Sequence, residues 1–189
     1  LDITKLLTGS ETAKVPAGTT FQVGINYTLP GGANVDTYPG WKAPGTVNQA
    51  RTGGDTSMTV TVGEKAVYNG TFPAGTVLAL KEDTTTASTT PAGVAWGSHT
   101  FAVGDQNTNS LTIEDQKSTA VTLRNSADPA AVEEGDFTVT KALAGDGDFS
   151  KSTFEFTYTC TDGTEGSLTV TGAATSEKSK KVKAGSTCT

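Results

Sequence analysis

Apolar and polar residues alternate along much of the chain. In Phe21-Gln22-Val23-Gly24-Ile25-Asn26-Tyr27-Thr28 the apolar side chains fall on every second position, apart from the neutral Gly24 between them. Such a period of two is the mark of a strand with one buried and one wet face. The same reading predicts strands over residues 2–8, 20–29, 57–62, 65–72, 76–82, 99–103, 110–114 and 119–125. Pro-Ala-Gly-Thr at 16–19 and again at 73–76 marks turns leading into strands. No stretch carries a helical period. Short strands separated by turn signals predict an all-β fold, an antiparallel β-sandwich of the immunoglobulin type.

The pattern also repeats. Ile3-Thr4-Lys5-Leu6-Leu7 lines up with Val139-Thr140-Lys141-Ala142-Leu143 at an offset of 136. Val23 to Thr28 lines up with Phe154 to Thr159 at 131, and Ser57-Met58-Thr59-Val60-Thr61 with Ser167-Leu168-Thr169-Val170-Thr171 at 110. A repeat of this length means tandem domains and not a short-period solenoid. The expected organisation is a complete sandwich over 1–126, a linker over 127–136 and the N-terminal half of a similar domain over 137–189. The first copy carries an insertion at 30–56. On this alignment Cys160 matches Leu29 and Cys188 matches Leu78, so those two leucines are expected to touch.

Three polar residues break the alternation. Lys5 shares a strand face with Ile3 and Leu7, Glu82 with Leu78 and Leu80, and Asn125 with Val121 and Leu123. Each sits where an apolar core residue is expected, on an early, a middle and a late strand. Desolvation disfavours the charge on a buried Lys and leaves a nucleophilic amine. It likewise favours a protonated acid, which can donate a hydrogen bond to a neighbouring carboxamide and polarise it. The trio therefore has the parts of a spontaneous Lys5–Asn125 isopeptide bond, with Glu82 as the catalytic proton shuttle and ammonia leaving. Two alternatives use the same residues: a neutral hydrogen-bonded cluster and a simple Lys5–Glu82 ion pair.

Composition narrows the function further. The 189 residues carry a net charge of −6, without the clustered Lys and Arg that nucleic acid requires. No apolar run approaches the ~18 residues that would span a membrane. The two cysteines, Cys160 and Cys188, are too far apart for a C-x-x-C motif and fall on neighbouring strand-like segments. They fit a disulfide and an oxidising, extracytoplasmic setting, with two buried free thiols as the alternative. Tyr38 and Trp41 in the 30–56 insertion are candidate contacts for a glycan or a host protein, or anchors packing the loop on its own domain. Asp146-Gly147-Asp148 lacks the further oxygen ligands of a calcium loop. His99 has no Ser or Asp partner in a recognisable motif. No metal site, cofactor or enzymatic acid pair or nucleophile motif emerges.

The early Lys, central Glu and late Asn resemble the collagen-adhesin B-type domains of Gram-positive pilins and adhesins. Residues 137–189, with Val139-Thr140-Lys141, Phe154-Glu155-Phe156-Thr157-Tyr158-Thr159-Cys160 and Ala184-Gly185-Ser186-Thr187-Cys188-Thr189, are similar to repeat modules of actinobacterial wall-anchored surface proteins. The resemblance implies Lys5 and Asn125 as the bonded pair, Glu82 as catalyst, and neighbouring domains of the same protein as partners. It implies an extracellular, wall-attached stalk module that is not an enzyme. A ligand-binding adhesin domain using the 30–56 insertion, and an accessory domain of a secreted carbohydrate-active enzyme, are the competing readings.

Overall fold

A computed structural model describes every residue from Leu1 to Thr189. The chain divides into two compact units, Leu1–Ala130 and Ala131–Thr189. Both are all-β, with only three short 3-10 turns, at Thr12–Lys14, Val35–Thr37 and Thr84–Thr86.

The first unit holds ten strands: β1 (Asp2–Thr8), β2 (Thr20–Thr28), β3 (Thr46–Val47), β4 (Gly53–Thr61), β5 (Lys65–Val67), β6 (Val77–Asp83), β7 (Val94–Val103), β8 (Gln106–Asn107), β9 (Ser110–Thr112) and β10 (Ala120–Pro129). One sheet has the order β5-β1-β10-β7-β8 and the other β3-β4-β2-β6-β9. Alternation decides what lies between them. Phe21, Val23, Ile25 and Tyr27 of β2, Leu78 and Leu80 of β6, Val121 and Leu123 of β10 and Ile3 of β1 are all buried in one core. Their strand neighbours Gln22, Asn26, Thr28, Val77, Ala79 and Lys81 are exposed.

One ladder departs from the antiparallel expectation. β1 lies parallel to β10 over seven rungs, from Asp2 opposite Ala120 to Thr8 opposite Ser126. The strand that opens the unit is thus bonded side by side to the strand that closes it. The end of β1 is fixed by Gly9, at φ 93°, where a Cβ would fall 2.4 Å from the Ala127 carbonyl oxygen. Only glycine tolerates both that backbone and that approach.

Three strand boundaries differ from the sequence reading. β10 runs on through Ala127, Asp128 and Pro129, which pair with Trp96, Ala95 and Val94 of β7. The linker expected at 127–136 therefore loses its first three residues to the sandwich, because Ala127 is fully buried and continues the inward face. β5 stops at Val67, short of the expected residue 72, and Tyr68 and Phe72 instead stack on each other beside Tyr27. β4 starts at Gly53, inside the insertion, and pairs there with β3.

The second unit holds β11 (Glu134–Gly135), β12 (Thr153–Thr159), β13 (Glu165–Thr171) and β14 (Val182–Lys183). β12 and β13 form one antiparallel pair, β11 and β14 another. Tyr158, Cys160, Leu168 and Val182 make a small core, with Phe137, Val139 and Cys188 packed on it. Cys160 and Cys188 are joined in a disulfide, S–S 2.04 Å, which excludes the free-thiol alternative.

Strand register corrects the repeat alignment. Tyr27 stands opposite Leu78, and Cys160 opposite Cys188. Val23 stands opposite Met58, and Phe156 opposite Leu168. Both comparisons give an offset of 133 on the first strand of each pair (160 − 27 and 156 − 23) and 110 on the second (188 − 78 and 168 − 58). The counterpart of Cys160 is Tyr27, two residues before Leu29. Leu29 is buried just past the end of β2, outside the cluster that holds Leu78. A two-residue slip leaves every side chain on its own face, so alternation alone does not resolve it.

Candidate functional site

The sandwich brings the three misplaced polar residues inside. Lys5 and Asn125 have no exposed surface, and Glu82 has almost none. Lys5 and Asn125 come from adjacent strands of one sheet, with Lys5 opposite Leu123 and Asn125 two residues further along β10. Glu82 comes from β6 of the facing sheet. Lys5 Nζ crosses the core and donates to Glu82 Oε1 at 2.7 Å. Its other neighbour is Phe21, whose ring centroid lies 4.3 Å from Nζ.

The remaining polar atoms of the cluster are unmatched. Asn125 Oδ1, Asn125 Nδ2 and Glu82 Oε2 are buried and have no hydrogen-bond partner. Each such atom costs about 1–3 kcal/mol relative to a satisfied one. A carboxamide held this way gains nothing from its polarity as a structural element. Burial pushes the Lys5 ammonium below its ordinary range, and the hydrogen bond and charge of Glu82 oppose that shift. A lysine in this setting reaches its neutral, nucleophilic form more readily than one in water.

The backbone next to Asn125 is irregular. The β10–β7 register shifts between Asn125, opposite His99, and Ala127, opposite Trp96. Gly97 lies in the extra stretch, and a Cβ there would fall 2.1 Å from Asp128 Oδ2. Such bulges bend a strand and re-aim its side chains. Here the bulge adjoins the residue whose side chain is to react.

His99 joins the cluster although no motif marked it. It faces Asn125 across the β7–β10 ladder, and its Nδ1 lies 4.0 Å from Glu82 Oε2. The signal was its parity: His99 shares a strand face with the buried Phe101, on the strand next to Asn125. Phe21 was also missed as a member of the site, having been read as an ordinary core residue.

The insertion does not approach the trio. Trp41 packs edge-on against Tyr27 and Tyr38, with centroids 6.2 and 6.1 Å apart, and donates from Nε1 to the Thr71 carbonyl at 2.8 Å. Both Trp41 and Tyr38 are half-buried. Arg51 and Asp36 pair within the insertion at 2.7 Å. These contacts anchor the loop on its own sandwich. Asp148 accepts from the backbone and hydroxyl of Ser150, as a turn residue does. No group of three or more His, Cys, Asp and Glu side chains gathers as a metal site would need.

A family model described as a domain of unknown function, DUF5979, matches residues 137–189. The match covers the second unit apart from its first six residues and none of the first. No curated protein and no solved structure matches the chain.

Proposed function

We propose that residues 1–130 form a load-bearing module of a bacterial cell-surface stalk, stabilised by an isopeptide bond between Lys5 and Asn125. The observation that carries this reading is the buried trio: an amine hydrogen-bonded to a carboxyl group, beside a carboxamide with no partner of its own. Lys5 Nζ attacks Asn125 Cγ, and a C–N bond forms. Glu82 takes a proton from the attacking nitrogen and delivers one to Asn125 Nδ2, which leaves as ammonia. The product is a secondary amide, and the buried cation is gone. Preorganisation inside the folded core supplies the drive for this single turnover.

Strand topology supports a mechanical role. Tension entering at the start of β1 and leaving at the end of β10 pulls two parallel strands in opposite senses. That loads seven rungs in shear at once, and the proposed bond adds a covalent tie between the same two strands. The 119 residues at positions 6 to 124 would then be shielded from extension. A disulfide in the second unit suits the oxidising exterior of a cell, where such a stalk would stand. The collagen-adhesin B-type resemblance of the trio leads to the same function.

Intact mass of the folded protein tests the proposal. The expected wild-type mass is one ammonia below that of the chain with its disulfide. The deficit should disappear in Lys5→Ala and in Asn125→Ala. Folded wild-type protein without the deficit would overturn the bond and leave a polar cluster in its place.

A further inference from the structure

The isopeptide chemistry, on which this inference rests, leaves a charge problem at Glu82. Before reaction the carboxyl group lies against Lys5 in a site shut off from water. When the amide forms, the lysine cation is lost, and the proton that began on Lys5 must end on ammonia or stay on Glu82. An ionised Glu82 left alone in the core would be strongly disfavoured. A route for protons between Glu82 and solvent would resolve this.

The structure offers one such route. Oε1 of Glu82 faces Lys5, whereas Oε2 has no hydrogen-bond partner and points toward His99 Nδ1, 4.0 Å away. That gap is one that a single water or a small ring rotation closes. The His99 side chain is 35% exposed, while that of Glu82 is fully buried, so the imidazole spans the boundary between core and solvent. It also lines an open surface cleft with Leu80, Lys81, Thr100, Phe101 and Asn109. Imidazole carries a donor and an acceptor nitrogen and so can accept a proton at one face and release one at the other.

We propose that His99 is the proton relay of the cross-linking reaction, passing protons between Glu82 Oε2 and the solvent-filled cleft as ammonia departs. His99 touches neither reacting atom and acts through Glu82, so it is a positioning and relay residue and not the catalyst. The balance is then complete. Lys5 Nζ bonds to Asn125 Cγ, the Cγ–Nδ2 bond breaks, Nδ2 leaves with the proton Glu82 delivers, and His99 returns Glu82 to its starting protonation state.

The test follows bond formation in freshly synthesised full chain, sampled by intact mass during cell-free translation. His99→Ala and His99→Gln are both expected to fold and to reach the ammonia deficit at least about tenfold more slowly, a smaller loss than the ~10²-fold typical of a direct proton-transfer group. Imidazole added to the reaction should restore the rate of His99→Ala and leave Glu82→Gln unreacted. A His99→Ala rate equal to wild type, or a slowed rate that imidazole does not restore, would overturn the relay. Full speed in His99→Gln would do the same, since glutamine holds hydrogen bonds but carries no proton. Wild-type protein that never loses ammonia would overturn the bond itself, an outcome distinct from failure of the relay alone.

Discussion

The two units present the same lysine in different company. In the first, Lys5 of β1 is fully buried, lies over the Phe21 ring and reaches Glu82. In the second, Lys141 is half-buried, lies 5.0 Å over the Phe154 ring and donates only to the neighbouring Ala142 carbonyl. With the corrected offset of 133, Phe154 is the counterpart of Phe21. Lysine and aromatic ring are therefore shared, and the acid and the carboxamide belong to the first unit alone. The second unit instead places Cys160 and Cys188 at the rung that Tyr27 and Leu78 occupy in the first. An amine over a ring is a structural habit of this repeat. Only enclosure with an acid and a carboxamide makes it chemistry.

Breaking each staple separately gives the sharpest version of this contrast. Asn125→Ala removes the proposed bond while leaving Lys5 paired with Glu82. Closing a loop of roughly 120 residues stabilises by about 5 kcal/mol in the chain-entropy model. The variant should lose about that much, read as a lower denaturant midpoint for residues 1–130, while the second unit keeps its own transition. A change under about 1 kcal/mol would mean that no such loop is closed. Reducing Cys160–Cys188, separated by 28 residues, is the smaller perturbation. The same model gives about 3–4 kcal/mol, felt only in the second unit. A matching shift in the first unit's transition would show that the two do not unfold independently.

What the sequence reveals follows from what alternation can and cannot encode. It marks which face of a strand is buried, and so it finds Lys5, Glu82 and Asn125 on the inner face without any contact being known. It carries no information on sheet partner. The parallel β1–β10 pairing, which makes Lys5 and Asn125 neighbours, is a product of topology. Alternation is also blind to a slip of two, which is why Leu29 and not Tyr27 aligns with Cys160. His99 lay within reach of the same parity argument, but a single histidine with no partner in sequence gives no reason to apply it. Its partner, Glu82, sits on the facing sheet, 17 positions away (99 − 82). The insertion was legible only as a loop, since the seating of Trp41 on Tyr27 and Thr71 depends on β4 beginning early.

The weakest expected effect discriminates best between a bond and an ion pair, because it follows the amine itself. In Asn125→Ala, Lys5 keeps a free amine that burial holds below its ordinary value of 10.5. Between that lowered value and 10.5, the unfolded chain holds a proton that the folded chain has released. Deprotonation therefore favours folding, and stability should rise with pH across this window. Below the lowered value the cost of burying the cation is present in full, and above 10.5 it has vanished. In cross-linked wild type the nitrogen is an amide and does not titrate, so this slope should be missing. Tyr27, whose phenol burial pushes upward, titrates in both proteins and cancels from their difference. The measurement is the difference in denaturant midpoint between Asn125→Ala and wild type over a pH series reaching 10.5. A gap that narrows with rising pH is the signature of an amine free in the variant and bonded in the wild type. A gap that stays constant would mean that Lys5 has the same protonation behaviour in both, and that the core holds an ion pair in each.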